Sequence, residues 1–171
     1  MEKFGYGPDH RFKVKVSARN IAIARDLAVI LIDQLKTIYI DGELDLVDSA
    51  VWFPKLARRD YAVALGLGAS AVDDPDQQFY QNYACGSELN VTGYCNREIE
   101  TLFDRQSMEP DQQKRKQLVW GIDERLQQDD ARPIIYYNTA ATCWQPDVKG
   151  LTITVNSIYN GWRMEDVWLD R

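Results

Sequence analysis

The residues able to do chemistry in this sequence are few. The densest group is Asp73-Asp74-Pro75-Asp76, in a stretch of Gly, Ala, Ser, Asp and Pro between two strongly patterned segments. Carboxylates this close offer hard oxygen ligands for a cation such as calcium, or a pair for acid and base work on a glycoside. The spacing lacks the glycine and the further ligands of an EF-hand loop. Pro favours the first position of a helix, so capping is the expected role, with Asp73 or Asp74 before a helix that starts near Pro75. A second place is Arg19-Asn20, directly after a segment of strand pattern, where a guanidinium beside a helix N-terminus attracts a carboxylate. The third is Trp52, after a second short strand, which can offer a flat wall to a ligand. Of the other tryptophans, Trp120 is expected in the core, and Trp162 and Trp168 against a neighbouring lobe.

Other chemistries lack their residues. The one histidine, His10, sits in a charged stretch before the first strand, so neither a Ser-His-Asp triad nor a Cys/His dyad can be assembled convincingly. Zinc spacing of Cys and His is absent, and no metal or cofactor is expected. Lys and Arg number 20 against 26 Asp and Glu, a net charge of −6, which argues against a nucleic-acid partner. Cys85 and Cys95 lie ten apart across a segment rich in Gly, Ser, Asn and Thr, a spacing that a loop-closing disulfide satisfies. Cys143 is left without an obvious partner.

The elements that must position these residues alternate. Phe12-Lys13-Val14-Lys15-Val16 has strand period, and Asn20 can cap a helix to about Ile38 with Ile23, Leu27, Ile30, Leu31 and Leu35 on one face. Asp41-Gly42 reads as a turn, Leu44-Asp45-Leu46-Val47 as a short strand, and Ser49 as the cap of a helix through Arg59. Tyr61-Ala62-Val63-Ala64-Leu65 is the third strand, followed by a loop over 67–76. Residues 77–83 are expected to be helical and the segment between the two cysteines irregular. Further helices run from an Asn96 cap to Ser107 and from Asp111 to about Gln128, the second with Leu118, Val119, Ile122 and Leu126 on one face. Pro133-Ile134-Ile135-Tyr136-Tyr137 reads as a buried strand, and Leu151-Thr152-Ile153-Thr154-Val155 as an edge strand. With 171 residues, 45% of them hydrophobic, one core is expected. Strand-helix alternation predicts an α/β class with a mainly parallel sheet flanked by helices, whose ligands lie outside the carboxyl ends of the strands.

Several stretches carry a resemblance. They are Asp26 to Leu35 (DLAVILIDQL), Asp60-Tyr61 leading to Gly66, Asp74-Pro75-Asp76 with Phe79, and Thr92-Gly93-Tyr94-Cys95-Asn96. They continue with Arg115 to Leu126, Ala131-Arg132-Pro133-Ile134-Ile135-Tyr136 and Val148-Lys149-Gly150. In this order the set resembles the C-terminal lobe of the periplasmic solute-binding proteins of ATP-driven peptide and nickel importers, the oligopeptide- and dipeptide-binding protein family. The resemblance implies a periplasmic, non-enzymatic lobe, the second of a two-lobed receptor, with residues 12–145 as its α/β core and 146–171 returning toward a first lobe. Its implied partners are that N-terminal lobe, a small polar solute such as a peptide, and the permease subunits in the membrane. Residues 1–8 hold no apolar signal region, so the chain is expected to be a fragment of such a receptor.

The resemblance places the arginine for a ligand carboxylate near Arg19. Peptide-binding members carry a tryptophan and then an aspartate after the third strand, whereas Leu67-Gly68-Ala69-Ser70-Ala71-Val72 holds neither, and no group is assigned to a peptide's α-amine. The expected ligand-binding residues are Arg19, Asn20, Trp52, Ser70, Ala71, Val72 and Asp73, brought to one edge of the sheet by the loops after its strands. The competing expectations are a glycosidase-like hydrolase using Asp73, Asp74 or Asp76, and a purely structural interaction module.

Overall fold

Three parallel strands carry the first part of the chain: β1 (Phe12–Arg19) lies between β2 (Ile40–Val47) and β3 (Val63–Leu65). The structure is a computed structural model, and it describes residues 1–171 apart from 69, 71, 73, 138–140, 154–163 and 171. It forms two compact units, Met1–Gly68 and Ala69–Arg171. Each unit has its own cluster of buried apolar side chains, where the composition predicts one core.

In the first unit α1 (Ala22–Leu35) and α2 (Ser49–Ala57) make the connections between parallel strands. Ala24 and Ala28 are the buried residues of α1, and their small side chains let the helix settle on Val16, Ala18 and Leu65. Gly42 continues this close approach, since a Cβ there would stand 2.8 Å from Ile32 Cγ1. Gly42 therefore lies inside β2 rather than in a turn; the chain reverses instead over Lys36–Ile38, a single 3-10 turn closed by Tyr39 at φ 64°. The opposite face is polar and tied to α2. Ser17, fully buried, donates its hydroxyl to Asp45 Oδ2 at 2.7 Å, and Lys55 of α2 approaches the same oxygen at 3.7 Å.

Two caps differ from those the sequence predicts. Asn20 does not cap α1: its backbone amide donates to the Val47 carbonyl at 2.8 Å and extends the ladder one residue past β1, so the helix starts one residue later, after Ile21, whose side chain cannot cap it. Asp48, not Ser49, caps α2, accepting from the Ala50 amide at 2.8 Å. That leaves the Ser49 hydroxyl available to a neighbouring side chain.

The second unit is built on α3 (Pro75–Tyr83), α4 (Arg97–Ser107) and α5 (Gln112–Gln128); Asn96 caps α4 as the sequence predicts, Asp74 is the one of the two expected candidates seen to cap α3, and Asp111 caps α5, which starts one residue later than expected. Ile99 and Phe103 on α4 and Ile122 and Leu126 on α5 each stand four residues apart, so each helix turns one apolar face to the core they share with Phe79 and Ala131. The Phe79 and Phe103 rings stack at 5.1 Å. Between α3 and α4 the Cys85–Cys95 disulfide closes an irregular segment organised by buried Asn90. Its amide nitrogen donates to the carbonyls of Ala84 and Tyr94, and its oxygen accepts from Thr92 and Gly93. Cys143 is an exposed free thiol.

The expected buried strand at 133–137 is not formed: these residues lie outside any strand and are exposed, Tyr137 by 78%. A strand pattern makes a strand only where another edge accepts its backbone, and the described strands of this unit are the short antiparallel pair β4 (Val148–Lys149) and β5 (Trp168–Leu169). Residues 151–153 are likewise not a strand, and Thr154 and Val155 lie outside the described residues, as does Trp162. Trp120, expected in the core, is 66% exposed because it stands two residues from Ile122, on the other side of α5. Trp168 of β5 is also exposed. Among the described residues no helix is long and apolar enough to cross a membrane.

Candidate functional site

Arg19 ends β1, at the carboxyl edge of the parallel sheet and just before α1. Its Nε donates to Ser49 Oγ at 2.9 Å, and its guanidinium lies 5.5 Å from the Phe53 ring centre. The two contacts hold one side of the fork, and among the described residues no carboxylate pairs with it. A half-buried, oriented guanidinium of this kind binds an anionic oxygen pair without first breaking an ion pair. Asn20 beside it is exposed, with its backbone amide used by Val47.

Trp52 has a different place. It is 3% exposed, so its ring is buried instead of presenting a face. The exposed aromatic of α2 is its neighbour Phe53, at 61%. The sequence assigns Ser49 only to a cap and leaves Phe53 unremarked, although their spacing of four on a helix is a legible signal that they share a face.

In the second unit the loop before α3 is described at Ser70 and Val72; Ala71 and Asp73 lie outside the described residues. Ser70 Oγ bonds the Val72 carbonyl and lies 3.3 Å from Gln77 Oε1, which also accepts from the Val72 amide at 3.3 Å. The acids that follow are engaged. Asp74 accepts from the Asp76 amide at 3.0 Å and receives both Nη groups of Arg115 at 2.8 Å. That guanidinium fork, more than any other contact, holds the Asp74 carboxyl below the usual carboxylate range. Asp76 accepts from Gln106 Nε2 and from Ser107 Oγ.

This arrangement suits structure better than catalysis. Asp74 and Asp76 spend their oxygens on helix starts and on α4 and α5, and among the described residues no group of three or more His, Cys, Asp or Glu is placed to hold a metal ion. The hydrolase alternative finds no support. His10 stacks on Tyr6 at 5.1 Å and bonds the Gly5 carbonyl, an exposed part of the N-terminal segment.

No protein-family model matches the sequence, and no curated protein does. Solved structures do. DppA of Helicobacter pylori, an ABC transporter-associated periplasmic binding protein solved with the peptide STSA, shares 18% identity at a TM-score of 0.77 over 94% of this chain. OppA of Burkholderia pseudomallei shares 19% at 0.79 over 98%, and OppA of Haemophilus influenzae, solved with RPPGFSPFR, shares 17% at 0.77 over 99%. The matched parts are 32%, 33% and 33% of those chains, so this chain spans about a third of their length. The mixed α/β fold is thus the one found in periplasmic binding proteins.

Proposed function

We propose that this chain is the second lobe of a two-lobed periplasmic receptor, forming one wall of a cleft that captures a small polar solute such as a peptide for a permease of an ATP-driven importer. The observation that carries this reading is the fold likeness over nearly the whole chain to receptors about three times as long, two of them solved with peptides. The remaining two thirds of such a receptor would supply the first lobe, and residues 146–171 would return toward it. The chain acts by binding and not by turnover, in keeping with the structural engagement of Asp74 and Asp76. A disulfide within the second unit fits an oxidising compartment such as the periplasm.

Within the wall, Arg19 is the group for an anionic end of the solute, with exposed Asn20 beside it and Phe53 in the apolar part first assigned to Trp52. Ser70, Ala71, Val72 and Asp73 supply hydroxyl and backbone groups from the loop before α3. In the complete receptor, Arg19→Ala should weaken binding of a peptide with a free α-carboxylate by about 1.5–3 kcal/mol, the worth of a hydrogen bond to a charged group. The same peptide amidated at its C-terminus should bind wild type and variant alike. An unchanged affinity for the free acid, measured by titration calorimetry, would remove Arg19 from the site.

A further inference from the structure

The loop before α3 follows a short strand through Gly66-Leu67-Gly68, and two of its described polar groups, Ser70 Oγ and the Val72 amide, each lie 3.3 Å from one atom, Gln77 Oε1. Gln77 is the third residue of α3. The residues around it are held from two other helices. Asp74 caps α3 and receives the Arg115 fork of α5; Asp76 accepts from Gln106 and Ser107 at the end of α4. Gln106 is fully buried and bonded on both sides of its amide, donating to the Phe103 carbonyl at 3.1 Å and accepting from Arg115 Nε at 3.1 Å. Arg115 Nε also reaches the Gln106 carbonyl. One guanidinium and one buried amide therefore hold the first turn of α3 in two places, and the third residue of that turn meets Ser70 Oγ and the Val72 amide.

We infer that Arg115 and Gln106 are positioning residues for the solute-binding loop: through Asp74, Asp76 and Gln77 they set where Ser70 and Val72 stand, without touching solute. The inference rests on the proposed role of that loop, but the anchoring itself is measurable without a ligand. A planar fork that meets Asp74 with two nitrogens defines an orientation that a single ammonium does not. Arg115→Lys keeps the charge and loses the orientation, and Gln77→Leu cuts the last link while leaving the Arg115 contacts in place.

Hydrogen exchange on the 171-residue chain supplies the test. In both variants, peptides spanning residues 70–77 should exchange at least about tenfold faster than in wild type, while peptides spanning α1 and β2 stay within about twofold. Arg115→Met should exceed Arg115→Lys. In the complete receptor the same variants should weaken binding of an alanine tripeptide-to-pentapeptide mixture by about tenfold or more. Unchanged exchange over 70–77, or a uniform rise along the chain, would overturn the anchoring. If Arg115→Lys does not fold, Gln77→Leu decides alone by the same criterion. Absence of peptide binding by wild type, with the exchange pattern as expected, would overturn the assigned solute and leave the anchoring standing.

Discussion

Phe103→Ala is expected to destabilise the second unit by about 3–5 kcal/mol, the usual cost of emptying a buried phenylalanine site. Phe103 is fully buried at the centre of the cluster formed by Phe79, Ile99, Ile122, Leu126 and Ala131. It stacks on Phe79 at 5.1 Å and meets Tyr80 edge-on at 5.8 Å, so truncation removes two aromatic contacts along with the buried area. Its neighbours come from three helices, and helices capped at Asp74, Asn96 and Asp111 have little freedom to collapse into the space. Since whole domains hold only about 5–15 kcal/mol, the variant should sit near its unfolding midpoint under mild denaturant. Urea unfolding followed by circular dichroism should show a lower midpoint at unchanged slope. A loss under about 1 kcal/mol would mean that this residue is not where the three helices meet.

The second large effect belongs to the Cys85–Cys95 bond. The cysteines are separated by 10 residues, and cross-linking them removes unfolded-state freedom worth roughly 2–3 kcal/mol. The Asn90 side-chain amide meets the carbonyls of Ala84 and Tyr94 and the donors of Thr92 and Gly93, and the Cys85 amide donates to Glu100 Oε1 at 2.7 Å, so the folded segment keeps its frame when the bond is absent. The loss should therefore act on the unfolded chain. A Cys85→Ser, Cys95→Ser double variant should unfold earlier than wild type under oxidising conditions and match it in the presence of a reductant. Thiol counting on the oxidised protein should find Cys143 alone. Three titratable thiols would remove the bond from the account.

What could be read from the sequence followed from local chemistry. Asp74 before Pro75 and Asn96 before Arg97 each cap the helix they precede, because a side-chain oxygen two or three residues ahead of free amides suffices. The alternation in β1 and the three- and four-residue spacing in α4 and α5 report one buried face each. Failures arose where the outcome depends on a distant partner. Asn20 stays in the ladder through a backbone bond to Val47, 27 residues away in sequence, and the cap position falls to Ile21. Asp41-Gly42 entered β2 because α1 needs a bare backbone under Ile32. Pro133 to Tyr137 has strand composition, but among the described residues no strand pairs with it.

The candidate site divides in the same way. The position of Arg19 at the carboxyl edge of the sheet was legible in the strand pattern, while its binding role is a proposal. Trp52 and Phe53 are adjacent in sequence, and only the burial of α2 decides which one is exposed. The Arg115 fork on Asp74 spans 41 residues, a pairing that no local pattern announces.

Titration calorimetry on two forms of the protein tests the two-lobed reading most directly: the 171-residue chain alone, and the complete receptor, each against the same mixture of short peptides. A cleft buries its ligand from both sides and excludes water from the polar contacts, and a single wall forfeits much of both. Binding by the chain alone should be no tighter than about millimolar, near 4 kcal/mol, and binding by the complete receptor about micromolar or below. Micromolar binding by the chain alone, or turnover of a glycoside by it, would contradict the account.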